Sequence, residues 1–265
     1  MSTFQDKVVV ISGASSGLGA EMARQLYARG AKVGLLARRE ERLRELHEEL
    51  GGDDRVDYEA ADVTDGVGLE RALNRLRERL GGLDVLVANA GYGRPESPHK
   101  FKPGTGIQMY DTNLFGMLRM IDWALPDFLE KGSGHIVGVA SLASYQGMPN
   151  SPAYCGSKAA MRVHLQSLRL SLRPYGIAVT TICPGFVESE LTAENKFPMP
   201  FMWKTERAVR LMVDAIEAQR GEVTFPWQMR LILGFINRLL PTRLTEWVLG
   251  RGTPKKRPLD LRPES

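Results

Sequence analysis

Short β-branched runs separated by helical patterns recur along most of this 265-residue chain, and no other feature restricts its fold as strongly. Lys7–Ser12 (KVVVIS), Lys32–Ala37 (KVGLLA), Leu83–Ala88 (LDVLVA), His135–Ala140 (HIVGVA) and Ile177–Ile182 (IAVTTI) read as strands buried in a parallel sheet. Val56–Ala60 fits a further strand and Glu222–Phe225 an edge strand. Between them, Leu18–Arg29, Glu40–Leu50, about Val67 to Leu80, Gly106–Lys131, Ala153–Arg173 and Thr205–Gln219 carry helical patterns. Gly30, Gly51-Gly52 and a second Gly-Gly pair stop the first three helices, and Pro174 with Gly176 stops Ala153–Arg173. This alternation predicts an α/β fold, a doubly wound parallel sheet with helices on both faces. No linker-like shift in composition divides the chain, which predicts a single domain.

Composition narrows the function by exclusion. The formal net charge is +4, much of the excess standing in Lys255, Lys256 and Arg257 of a basic tail, residues 251–265. No aromatic-studded basic stripe accompanies it, so nucleic acid is not an expected partner. Two cysteines, Cys155 and Cys183, are too few for a disulfide framework and suit a reducing compartment. With no signal-peptide pattern and no run of 18 apolar residues, the expectation is a cytoplasmic protein.

Ser12-Gly13-Ala14-Ser15-Ser16-Gly17-Leu18-Gly19 joins the first strand to the first helix. Glycines there permit a tight turn and a close approach of a dinucleotide pyrophosphate, which the N–H groups at the helix start then hold. The spacing is Gly-x-x-x-Gly-x-Gly and not the commoner Gly-x-Gly-x-x-Gly, so the match is one of mechanism. At the end of the second strand an acid would grip the ribose 2′-hydroxyl of NAD, yet this chain has Ala37-Arg38-Arg39. A guanidinium suits a 2′-phosphate, which predicts NADP(H) in preference to NAD, with Arg38 ahead of Arg39.

Tyr154-Cys155-Gly156-Ser157-Lys158 places a phenol and an ammonium four residues apart, on one face of a helix. A free phenol titrates near pH ~10, and an adjacent ammonium draws it toward acid/base work. A serine hydroxyl beside that phenol, such as Ser141, would hold and polarise a carbonyl oxygen. On its own the spacing is common by chance.

With these pieces in order, the sequence resembles the classical short-chain dehydrogenase/reductase family over roughly Lys7 to Ser189. The family's Thr-Gly-x-x-x-Gly-x-Gly motif appears from Ser12 to Gly19, with serine for threonine. Asp62, followed by Val63, matches its adenine-contacting acid, and Asn89-Ala90-Gly91 its Asn-Ala-Gly motif. Asn113, Ser141, Tyr154 and Lys158 match its catalytic tetrad. Pro184-Gly185-Phe186-Val187-Glu188-Ser189 resembles Pro-Gly-x-Val-x-Thr, with Ser189 in the threonine's place. The resemblance implies a Rossmann-like fold and cofactor contacts at Gly13, Ser15, Ser16, Gly17, Leu18, Gly19, Arg38, Arg39, Asp62, Val63, Asn89, Ala90, Gly91, Tyr154, Lys158, Pro184, Gly185, Val187 and Ser189. It implies hydride exchange between nicotinamide and a carbonyl or secondary alcohol, with Tyr154 as proton donor and Ser141 bonded to the oxygen. Lys158 would bind the nicotinamide ribose, and Asn113 would hold a relay water. No metal is implied. Pairing of Gly106–Lys131 and Ala153–Arg173 with a second subunit would make a homodimer or homotetramer. A thioester-specific 3-oxoacyl reductase, or a nucleotide-sensing scaffold that has lost turnover, are the alternatives; the intact tetrad argues against the second.

Other residues carry weaker expectations. Ser144 either faces the pocket or caps backbone. Cys155, one position round the helix from Tyr154, should point elsewhere. Met148, Pro149 and Asn150 fall where the family places substrate wall. His47, His99, His135 and His164 are expected at the surface or at strand ends. A lid at about residues 188–205 contains Leu191, Phe197, Met199, Phe201, Met202 and Trp203, which either line an apolar pocket or pack the lid down. Trp227–Leu249, interrupted by Arg230, Arg238, Pro241 and Arg243, reads first as a core or pocket cap, then as an oligomer interface, and last as a membrane-surface helix.

Overall fold

The computed structural model describes residues 3–96, 102–193, 199–239 and 241–250. Among these residues, one seven-stranded, wholly parallel sheet runs in the order β3-β2-β1-β4-β5-β6-β7. Its strands are β1 (Val8–Ser12), β2 (Lys32–Ala37), β3 (Val56–Ala60), β4 (Val85–Ala88), β5 (Gly134–Val139), β6 (Ile177–Pro184) and β7 (Glu222–Phe225). Strand order reverses between β1 and β4, and an open α/β sheet binds its ligands in the crevice at such a switch point.

Alternating side chains on each strand enter two separate cores, which is why these runs are apolar throughout. Val9, Ile11, Val33, Leu35, Val85 and Val87 pack on one face with α1 (Gly17–Ala28), α2 (Glu40–Glu49) and α8 (Thr205–Glu217). Val10, Leu36, Leu86 and Ile136 pack on the other with α3 (Gly66–Leu80), α5 (Gly116–Lys131) and α6 (Pro152–Leu172). The predicted doubly wound sheet is therefore present, and β7 is the edge strand expected at Glu222–Phe225.

The long helix expected over Gly106–Lys131 is interrupted. α4 (Thr105–Tyr110) and α5 are joined by a π-helical turn, Asp111–Phe115, in which the Gly116 N–H bonds to the Asp111 carbonyl. Such a turn holds an extra residue and commonly marks a functional site. Hydrophobic period does not reveal it, because its cause is tertiary: Asn113 is drawn into the core by partners far away in sequence.

After β6 the chain forms the short helix α7 (Glu190–Ala193) and returns through Trp203, which bridges to Val187. Trp203 stacks on Phe225 at 5.2 Å, under the Arg207 guanidinium, so this lid residue packs downward. Phe201 and Met202 stay exposed. α9 (Trp227–Leu239) and α10 (Thr242–Gly250) follow the cis Phe225–Pro226 bond, with Trp227, Leu231, Ile232, Phe235, Leu244 and Trp247 exposed. A core cap would bury those side chains. Among the described apolar side chains of α9, Leu233 is the one counted in the core. His135, second residue of β5, is at a strand end as expected, but it is buried and bonds Thr180 at 2.8 Å. His99, Phe197 and the basic tail, with the side chains of Leu191 and Arg238, lie outside the described residues.

Candidate active site

The glycine turn is fastened to the end of β4 by Ser12 and Asn89. The Ser12 hydroxyl accepts from the N–H groups of Asn89 and Ala90, both at 3.0 Å, and Asn89 Nδ2 donates to the Ser12 carbonyl at 2.9 Å. Gly13 has φ +68°, and a Cβ there would lie 2.9 Å from Ala90 Cα. A Cβ on Gly19 would fall 2.2 Å from the Gly13 carbonyl oxygen, so the turn and the first helical residues close only with glycine. Gly17, at φ +53°, faces Ser189 across a gap that a Cβ would narrow to 3.4 Å. These positions leave backbone N–H groups open at the start of α1, as a pyrophosphate requires. Leu18 packs its side chain against the core below them.

The two arginines behave differently. Arg39 turns back onto the glycine turn, donating to Ser15 Oγ at 3.1 Å and Ser16 Oγ at 2.7 Å, and pairs with Glu190 of α7 at 2.9 Å. Arg38 projects into solvent, 72% exposed, with a guanidinium nitrogen 3.6 Å from Asp62. Asp62 accepts from the Thr64 N–H and hydroxyl, both at 2.9 Å. Burial alone would raise its carboxyl; the Thr64 bonds and Arg38 more than offset this, and it titrates below the ordinary aspartate range. Val63, buried beside it, packs against Gly116 at the start of α5.

Asn113, fully buried in the π turn, donates to the Tyr92 carbonyl at 2.9 Å and to Ser157 Oγ at 3.0 Å, and accepts from the Tyr92 N–H at 2.7 Å. Ser157 in turn donates to the Tyr154 carbonyl at 2.9 Å. A Cβ on Gly156 would lie 2.1 Å from the Tyr110 hydroxyl, so α4 and α6 approach closely only because that position is glycine. Every interior residue of Tyr154–Lys158 thus has a packing reason, Cys155 being buried.

Ser141 follows β5 and caps the 3₁₀ turn Leu142–Ser144, its Oγ accepting from the Ala143 N–H at 3.1 Å. Burial raises the Tyr154 phenol above its ordinary range, while a hydrogen bond with Ser141 pulls it down. Lys158, 4% exposed, donates to the Val139 carbonyl at 2.8 Å, and burial lowers its ammonium to about 8. The sequence suggested that Lys158 would draw the phenol downward. Here burial dominates the phenol, and the ammonium bonds to β5 instead. A Cβ added to Gly91 would stand 3.4 Å from Lys158 Nζ and 3.7 Å from Asn113 Oδ1, which brings the end of β4 against the tetrad. Ser144 is buried, with its Oγ 4.0 Å from Cys183 Sγ.

At the end of β6, Gly185 donates to the Phe225 carbonyl at 2.7 Å, and a Cβ there would meet the Pro226 ring at 2.8 Å. Val187 is buried, and the Ser189 hydroxyl lies 3.3 Å from that of Thr192. Pro184 closes β6 beside Phe225 of β7.

Two positioning groups escaped sequence reasoning. Glu96 accepts from the Ala153 N–H at 2.8 Å, capping the helix that carries Tyr154 from 57 residues away. Glu190, which pairs with Arg39, lies 151 residues from it. Neither separation leaves a local signal. Serine at position 12 was legible only as a motif substitution.

Comparison with known proteins gives the family of the chain. The short chain dehydrogenase family matches residues 7–198. An uncharacterized oxidoreductase of Myxococcus xanthus is 39% identical over 230 residues, covering 86% of this chain and 91% of that protein. One from Mycobacterium tuberculosis is 36% identical over 241 residues, covering 89% and 95%. A Brucella melitensis 3-ketoacyl-(acyl-carrier-protein) reductase, solved with NADH, superposes with TM-score 0.78 at 24% identity over 84% of this chain and 98% of its own, a likeness of fold. The chain is therefore an oxidoreductase belonging to the short-chain dehydrogenase family.

Proposed function

We propose that the protein is an NADP(H)-dependent reductase or dehydrogenase that interconverts a carbonyl and a secondary alcohol on an apolar small molecule. The observation that carries this reading is the convergence of Ser141, Tyr154 and Lys158 beside Gly91, at the strand ends next to the glycine turn. The cradle at Gly13, Gly17 and Gly19 suits the pyrophosphate, Asp62 and Val63 the adenine side, and Asn89, Ala90, Gly91, Pro184, Gly185, Val187 and Ser189 the nicotinamide side. Arg39, Arg38 and Ser15 supply donors for a 2′-phosphate.

A bound nicotinamide supplies or accepts the hydride at the carbonyl carbon. In reduction, the Ser141 and Tyr154 hydroxyls donate to the carbonyl oxygen, and Tyr154 gives up its proton as that oxygen becomes an alcohol. Donors aimed at developing negative charge are worth roughly 3 kcal/mol each. Lys158, titrating near 8, returns a proton toward the tyrosinate. Asn113 has spent both side-chain N–H groups on Tyr92 and Ser157. A relay water has the second lone pair of Oδ1 or the backbone carbonyl in the π turn as its acceptor.

Phe201 and Met202, exposed on the segment expected as the lid, favour an apolar substrate. Exposed Ile107, Val163 and Leu170 on α4 and α6 favour a homodimer or homotetramer built on those helices. Two buried free thiols suit a cytoplasmic, reducing location. The test is fluorescence titration with NADPH and NADH, then a panel of ketones and secondary alcohols assayed with wild type and Tyr154→Phe. Tighter NADH binding would reject the cofactor assignment; undiminished turnover in the variant would reject the mechanism.

A further inference from the structure

We propose that α9 and α10 dock on an anionic lipid surface. Along α9, Trp227, Leu231 and Phe235 are 63%, 62% and 57% exposed. Their spacing of four residues sets them in one stripe, with Ile232 on its flank and Leu233 turned inward. Leu244 and Trp247 extend exposed apolar area onto α10. Arg230 and Arg243 are exposed on the same two helices.

Charge identifies the occupant. Residues 227–265 hold eight arginines and lysines against three acids, a net +5, whereas the whole chain is +4. Of this, +2 lies in residues 227–250, which expose the tryptophans, and +3 in residues 251–265, which follow them in sequence. Tryptophan at the apolar–polar boundary, with basic residues reaching headgroups, is the composition of a helix lying in a membrane interface. A second copy meeting this face in a symmetric contact would oppose the net +2 of residues 227–250 with its like, which disfavours self-association there. At 13 residues α9 is about 20 Å long. No described helix is long and apolar enough to cross a bilayer, so the helices lie along the surface. α9 begins immediately after Pro226, whose ring abuts Gly185, so docking brings the site edge to the lipid boundary. Lipid binding itself does not depend on the reductase reading, and either can fail alone.

The experiment is co-sedimentation of the full chain with vesicles of phosphatidylcholine, alone or with about one-third phosphatidylglycerol. Binding to the anionic vesicles, weakening as salt rises, with a blue shift of tryptophan emission, is expected. Leu231→Ser/Phe235→Ser should lower the partition coefficient at least about tenfold. Arg230→Ser/Arg243→Ser should lower it about fivefold per arginine, with circular dichroism confirming the fold in each case. If the apolar variant fails to fold, the arginine variant carries the test. No binding to anionic vesicles at low salt would overturn the proposal. So would binding unaffected by both variants, or variants that dissociate a homo-oligomer while vesicle binding persists.

Discussion

Arg39 and Glu190 meet at 2.9 Å, one held on the serines of the glycine turn and the other at the start of the short helix that opens the lid. The guanidinium presents the fork that a 2′-phosphate uses, and the carboxylate occupies one side of it. Both side chains are about half exposed, so the pair itself is worth under ~1 kcal/mol. Glu190→Gln should therefore tighten NADPH binding about two- to fivefold and leave NADH nearly unchanged. Arg38→Ala/Arg39→Ala should weaken NADPH at least about tenfold. Fluorescence titration reads both, and equal effects on the two cofactors would count against a phosphate site.

Tyr154→Phe removes the hydroxyl proposed as the proton donor and leaves the ring in place. The expected loss in kcat is about 10²- to 10⁴-fold, with cofactor affinity retained. A stopped-flow assay with any accepted ketone checks it.

Asn113→Ala would strip the Tyr92 N–H and carbonyl and Ser157 of their shared partner. Stranding these buried groups should cost about 1–3 kcal/mol, a fall in Tm of several degrees, together with a loss of kcat. Ser157→Ala should produce a smaller loss of the same kind. Calorimetry and initial rates measure the two effects separately.

Gly19→Ala puts a methyl 2.2 Å from the Gly13 carbonyl oxygen, against backbone that has no room to move. Cofactor binding should fall by more than about 100-fold, because the turn itself must open. Titration against Gly250→Ala, where a Cβ has no described heavy atom within 4 Å, supplies the control.

His135 is lowered from 6.5 to about 4 by burial. Between those values the unfolded chain binds the proton and the folded chain does not, so stability rises with pH across that window and is lost as pH falls through it. The contribution is up to ~3 kcal/mol. Urea denaturation from pH 7 to pH 4 should show the slope in wild type and a flatter profile in His135→Gln.

Residue patterning alone determined the layered fold and named the candidate site. Strands buried on both faces must be apolar throughout, so Lys7–Ser12 and its successors carry a parallel sheet in their own composition. The steric demands on Gly13, Gly17 and Gly19 are local to one turn and are written in that turn. Tertiary structure decided what depends on distant partners. The π turn at Asn113 exists because Tyr92 and Ser157 pull on one amide, and no hydrophobic period encodes that. The protonation of Tyr154 and Lys158 is set by the depth at which α6 lies, not by their spacing of four. Which arginine reaches the glycine turn, and which faces of α9 and α10 are left to solvent, were settled only once the chain beyond β6 folded back on the sheet.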